Sequence, residues 1–366
     1  MLRRTVLFAI TAVAALASPS FAQTTYRVVD LGLLPNTIGC QATAINAAGD
    51  VAGFCDDGGV LTETPFLWRH GQLTALPKLK DGNNAAPNYL TLDGTVVGSA
   101  DDGNFQPHAY MVRNGVAIEV ESSGGQNSHA LGIDNRGVIF GSYAKGLSGN
   151  VSSWSPVTYT EDPRKPGRFR RAALPLVPGG DLETTGGYVS AANSVGEAVG
   201  EEFSALFGQR GLFWANDTAH TISLLEPTVT GGYGTVAMGM NDFGVAVGGS
   251  IGPSVYERAA LWQNDAAHTP VDLGALPGDN ASVAYGINNV GQVIGYSYLL
   301  NDPQTSVTET HPFVWENGSL FDIRTRLDAS AAGWTIGSLS AINDSGAIAA
   351  SGVVGGVTHA ILLLPN

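Results

Sequence analysis

One short turn, I-N-x-x-G, recurs along this chain and constrains its fold more than any other feature. It stands at Asn46 to Gly49, Asn193 to Gly196, Asn241 to Gly244, Asn288 to Gly291 and Asn343 to Gly346. Asp134 to Gly137 is the same turn with Asp first, and Asp93-Gly94 reads as a seventh copy shortened by two residues. Successive turn glycines (Gly49, Gly94, Gly137, Gly196, Gly244, Gly291, Gly346) lie 45, 43, 59, 48, 47 and 55 residues apart. Recurrence at periods of about 40 to 50 residues is the signature of units that cannot bury their apolar faces alone and stack on one another.

Each unit resolves into four short strand signals. In the clearest unit they are Ser282 to Ile287 before the turn, Gln292 to Ser297 after it, Pro312 to Trp315, and Ser319 to Ile323 beyond the Asn317-Gly318 turn. The third strand ends on a large apolar or aromatic residue in most units: Trp68, Val112, Tyr159, Trp214, Trp262, Trp315 and Leu363. Such a residue reads as packing between units. The last unit stops at His359 to Leu364 without a fourth strand, and Tyr26 to Pro35 is a fourth strand without a third. The second of these segments matches Val271 to Pro277 closely. A strand missing at one end and spare at the other predicts an all-β, seven-bladed β-propeller of four-stranded blades, its ring closed by the N-terminal strand completing the last blade. An open solenoid would need caps instead.

Residues 1–22 read as a secretory signal: basic Arg3 and Arg4, an apolar run from Val6 to Ala17, and small Ser20 and Ala22 before a cut at Gln23. The run is shorter than the roughly 20 residues a membrane anchor needs. Residues 23–366 are then one propeller domain, expected to be periplasmic or secreted, soluble and monomeric. Removing Arg3 and Arg4 leaves 16 basic against 32 acidic residues. That field argues against nucleic acid and anionic lipid as partners. The two cysteines, Cys40 and Cys55, lie six residues either side of one turn, facing each other across a hairpin. In an oxidising compartment that placement predicts a disulfide.

His108-Ala-Tyr110, His311-Pro-Phe313 and His359-Ala-Ile361 each follow a G-I-N-x-x-G-x-V-x-G pattern and precede W-x-x-G-x-L-x-D-L-G-x-L-P. In this the chain resembles the HAF repeats of predicted extracellular bacterial proteins, over nearly all of Tyr26 to Leu364. Four units depart from the pattern, with Thr64, Ser155, Arg210 and Arg258 near the His position. The resemblance implies export and a repeated β fold, and no particular reaction.

No catalytic motif stands out, and neither a metal nor a cofactor is expected: H-x-H, H-E-x-x-H and G-x-S-x-G are absent. The repeat-position histidines are expected to bond a neighbouring loop. If the first strand of each unit lines the axis, its start and the loops beside it form a channel mouth. Candidate ligand-binding residues there are Tyr89, His129, Tyr188, Tyr233, Tyr285, Trp334, Arg210 and Glu257. Aromatics and carboxylates around a funnel suit a glycan or a protein ligand. A polysaccharide lyase or hydrolase on the same scaffold is the alternative, with His129, Tyr188, Tyr233 and Arg210 as the first residues to test. A structural surface or matrix component is a third. The basic segment Arg164 to Arg171 reads as an elongated, solvated hairpin.

Overall fold

The computed structural model describes residues 24–366 apart from 60–61, 122–126, 149–150, 178–185, 205–207, 217, 226–233, 252–255 and 301–308. The expected signal at 1–22 and the candidate Tyr233 lie outside the described residues. Seven antiparallel sheets, each of four strands, make up the chain. Their first strands are Gly39–Ile45, Ala85–Leu90, Ser128–Ile133, Gly186–Ala192, Thr235–Met240, Ala281–Ile287 and Thr335–Ile342. Residues from all seven line one central cavity, so these strands are innermost and the sheets are the blades of a seven-bladed β-propeller.

Six blades are consecutive in sequence. The seventh takes its outermost strand, Tyr26–Asp30, from the other end of the chain. That strand pairs with Val357–Pro365 in the register Val28 to Leu363 and Val29 to Leu362. The seventh blade also packs on the first: Leu31, Cys40, Ala42 and Phe66 share an apolar cluster with Ala349, Ala360 and Leu362. Other clusters likewise join successive blades, as where Phe140 meets Val189, Leu212 and Trp214. Trp214 and Trp262 are almost wholly buried at the ends of their third strands, and each indole N–H donates to a carbonyl of the preceding blade's exit loop, Pro175 and Ser223. Truncating a ring so placed costs about 3–5 kcal/mol.

The repeated turn is held by its Asn in two directions. Asn46 Oδ1 accepts the backbone N–H groups of Ala48 and Asp50, both at 3.0 Å, while Gly49 takes φ 83°. A side chain that satisfies its own turn, followed by a residue with positive φ, is the turn chemistry expected of Asn and Gly. The amide Nδ2 then reaches the next blade. Asn46 donates to the carbonyl of Thr91, Asn193 to Asn241, Asn241 to Asn288, Asn288 to Asn343, and Asn343 to Asn46, at 2.8–3.1 Å. Two positions interrupt this ring of bonds. Asp134 has no amide N–H, and the second blade has Thr91.

At Thr91 the structure corrects the expectation of a shortened turn. Thr91 N–H bonds the carbonyl of Thr95 and Gly94 N–H that of Thr91, as Asn46 and Gly49 do in the first blade. The turn has full length, with Thr in place of Asn; its hydroxyl donates to Asp93 and to the carbonyl of Thr95.

The glycine after each turn, in V-x-G, has a different cause. Each inner strand of the first six blades shifts register by a β-bulge. The bulge pushes a carbonyl onto the second strand at Gly53, Gly98, Gly141, Gly200, Gly248 and Gly295, where a Cβ would overlap it. The seventh blade has Ala350 there, and its inner strand shifts register twice.

Cys40 and Cys55 are directly opposed, buried and joined in the expected disulfide. No helix among the described residues is long and apolar enough to cross a membrane.

Candidate functional site

The inner strands surround a central channel with two ends. The I-N-x-x-G turns surround one; the starts of the inner strands and the ends of the second strands surround the other. The structure distributes the sequence-derived candidates between them. Tyr89 lies near the turn end, where it lines the mouth and the channel wall. Tyr285 lines that same wall, and the remaining described candidates belong to the strand-start end.

There, side chains of the third and fourth blades form a row of rings. His129 stacks on Trp154 with centroids 5.0 Å apart; Trp154 meets Tyr188 at 5.5 Å; Tyr188 meets Phe203 edge-on at 5.8 Å. These separations and tilts are those aromatic pairs prefer. His129 Nδ1 is 3.0 Å from the Ser99 hydroxyl, and burial pushes its imidazole below the usual range. Phe203 is 38% exposed, so the row ends in solvent. Glu201 lies opposite Tyr188 in the ladder and accepts a hydrogen bond from Gln209. Burial holds the Glu201 carboxyl above the ordinary range, and the Gln209 bond opposes that shift.

A second cluster spans the fifth and sixth blades. The Tyr298 hydroxyl donates to Glu257 Oε2 at 2.9 Å. Gly249 makes room for this carboxyl, since a Cβ there would collide with Oε1. Burial raises the Glu257 pKa, with the Tyr298 bond acting the other way. Tyr285 packs edge-on against Tyr296 at 5.6 Å, and Tyr296 accepts the N–H of Leu339 at 2.6 Å. Burial pushes the Tyr296 phenol up to about 12. Gln209, Tyr256, Glu257, Tyr298 and Leu300 line a cavity of about 300 Å³, which puts the Glu201 partner and Glu257 on one concave surface.

Two candidates stand apart from both clusters. Arg210 pairs with Glu202, a wholly buried carboxylate, so its guanidinium is engaged within the fourth blade. Trp334 packs on the seventh blade's core and sits edge-on to His359 at 5.6 Å. The repeat-position histidines each bond a nearby acidic or carbonyl oxygen: His108 the Glu121 carbonyl, His311 Asp279, and His359 Asp30, at 2.8–3.0 Å. They sit on separate blades, and no group of three or more metal-ligating side chains occurs among the described residues.

Sequence reasoning did not single out Trp154, Phe203, Gln209, Tyr296 or Tyr298. Tyr296 and Tyr298 carried a usable signal, because residues two apart on a strand share a face. Trp154 did not, since its stacking partners come from another strand and another blade.

No protein-family model matches the chain, and no curated protein sequence does. Its similarities among solved structures include these three chains. They are the β-propeller domain of the Trilobed protease from Pyrococcus furiosus (7% identity, TM-score 0.51, 89% of this chain and 93% of that one); a chain of the mitotic checkpoint complex (13%, 0.52, 100% and 99%); and the acylaminoacyl peptidase of Pyrococcus horikoshii (9%, 0.53, 90% and 52%). At such identities the likeness is one of fold alone: this chain is built as a β-propeller.

Proposed function

We propose that the protein is an exported binding module that takes a carbohydrate chain across the strand-start end of its channel. The observation that carries this reading is the row His129–Trp154–Tyr188–Phe203, stacked rings running along two blades into solvent. Sugar rings present C–H faces that pack on aromatic planes, and flanking polar groups select their hydroxyls. Glu201 with Gln209, and Glu257 with Tyr298, supply such groups beside the row. The excess of acidic residues makes a neutral glycan fit better than an acidic one.

A glycan array followed by calorimetry tests the reading. Neutral oligosaccharides should bind, and Trp154→Ala and Tyr188→Ala should each weaken binding by about tenfold or more. An array with no carbohydrate hit would overturn it and leave a protein ligand for this face.

A polysaccharide-active enzyme is the second reading, favoured by the burial that raises both Glu201 and Glu257. A carboxyl whose pKa is raised is what a general acid requires. In that case Glu257→Gln abolishes release of reducing ends, a loss far larger than its effect on binding. The lyase form of this reading is the weaker, because Arg210, its candidate for neutralising a uronate, is engaged with Glu202.

A further inference from the structure

The turn end of the channel has a different surface chemistry, independent of the strand-start face. The second residues of the turns point at the axis. Asp242, Asn289 and Asp344, from three successive blades, line a mouth of about 310 Å³ together with Tyr89 and Leu92. Asp242 accepts the Ser194 N–H at 2.9 Å and the Asn289 amide at 3.1 Å. Asp344 accepts the Asn289 backbone N–H at 2.8 Å and its side-chain amide at 3.0 Å. At two other turns a carboxylate has a guanidinium: Asp50 pairs with Arg69 at 2.8 Å and Asp134 with Arg136 at 2.7 Å. Asp242 and Asp344 form no ion pair among the described residues. Two fixed anions therefore share one mouth without a counter-charge.

Around that mouth runs an apolar arc. The third turn residues of the fourth, fifth and sixth blades are Val195, Phe243 and Val290, exposed by 57%, 65% and 66%. The Asn-to-carbonyl bonds of the same turns tie their backbones to the next blade, so the arc is carried on an anchored frame. Apolar side chains gathered on one exposed surface with a polar rim mark interaction sites. The charge at the centre says what kind.

We propose that this face docks a peptide segment of a partner protein, in which a Lys or Arg head group caps the Asp242–Asn289–Asp344 row from the mouth and neighbouring apolar side chains cover Phe243, Val290 and Val195. The Tyr89 ring stands at the same mouth, close enough to Asp242 for that charge to help raise its phenol pKa after burial has done so. Polyanions are repelled by the acidic rim and by the molecule's net charge. A bare polyamine satisfies the carboxylates and leaves the arc uncovered.

Fluorescence anisotropy on the mature chain tests this with a labelled peptide, acetyl-Leu-Val-Lys-Val-Leu-amide, and its norleucine and glutamate counterparts in place of Lys. The Lys peptide should bind more than about tenfold tighter than the norleucine peptide, a buried charge contact being lost in the latter. The double substitution Asp242→Asn with Asp344→Asn keeps the oxygen acceptors and should erase that preference. Phe243→Ser should weaken both peptides several-fold, with urea midpoints confirming that each variant is folded. Equal binding of Lys and norleucine peptides, or no binding of either, overturns the proposal. So does spermidine that binds as tightly as the peptide and is indifferent to Phe243→Ser. Sedimentation showing that copies of the chain associate through this face, and separate on Phe243→Ser, overturns it in favour of self-association.

Discussion

At the turn end of the channel the blades offer variants of one turn; at the strand-start end each offers different side chains. The turn Asn has no chemistry to spare: Asn241 Oδ1 accepts the N–H groups of Phe243 and Val245, and its amide goes to Asn288. At the other end His129 leans on Trp154 and Glu257 takes the Tyr298 hydroxyl, with no equivalent pair in neighbouring blades among the described residues. The contrast teaches that repetition here marks scaffold. Positions the fold leaves free, including the second and third residues of the turns themselves, are where the surface varies.

Four measurements break or sharpen that contrast, taken from the largest effect down. Asn241→Ala with Asn288→Ala strands buried N–H and C=O groups in three adjoining blades and should cost about 4–6 kcal/mol together. Trp154→Ala should cost much less in the same urea titration, and a comparable loss would make the ring row scaffold too. Reducing Cys40–Cys55, which closes a span of 15 residues, should lower stability by about 3 kcal/mol, read as a fall in the urea midpoint with dithiothreitol. Thr91→Asn restores an amide aimed at the Asp134 carbonyl and should stabilise by about 1 kcal/mol; no gain would mean that the break in the ring has already relaxed.

The smallest effect separates the two ends by its sign. Burial raises Glu257, so the stability it contributes is fully present below the ordinary carboxylate pKa of 4.5 and is lost as pH rises through the elevated folded value. Glu257→Gln should flatten that fall. At the turn end Asp93 is held low by hydrogen bonds from Thr91 and Thr95, outweighing a smaller burial effect. Its contribution is present above 3.8 and disappears as pH drops through the depressed value. Asp93→Asn should therefore change the acid limb, Glu257→Gln the limb above it. Urea midpoints from pH 3 to 8 distinguish them; matching limbs would erase the difference in sign.

Much of the architecture was legible because strand, turn and glycine signals are local and repeat. Blade number, the Cys40–Cys55 pairing and the place of Tyr26–Asp30 beside Val357–Pro365 all followed from spacing, whereas the inner position of the first strand entered only as a condition. The bond from each turn Asn to the next blade did not, since its acceptor lies a full repeat away. Thr91 was misread because Thr can occupy the Asn position while looking unlike it in sequence. Among the site residues, spacing placed Tyr188 and Glu257 at one end, but their partners Phe203 and Tyr298 depend on side-chain directions across strands. Arg210 looked available because its pairing with the buried Glu202 opposite it on the neighbouring strand is not visible in sequence.

The seventh blade joins residues from the two ends of the chain, with Asn366 N–H bonding the Thr25 carbonyl at 2.9 Å. Bringing together segments so remote in sequence carries the greatest loss of chain freedom of any contact in the molecule. Those pairings therefore form late and can let go without the other blades following. Heat or a protease should find its first purchase at this seam, and whatever clasps it from outside would guard the whole wheel.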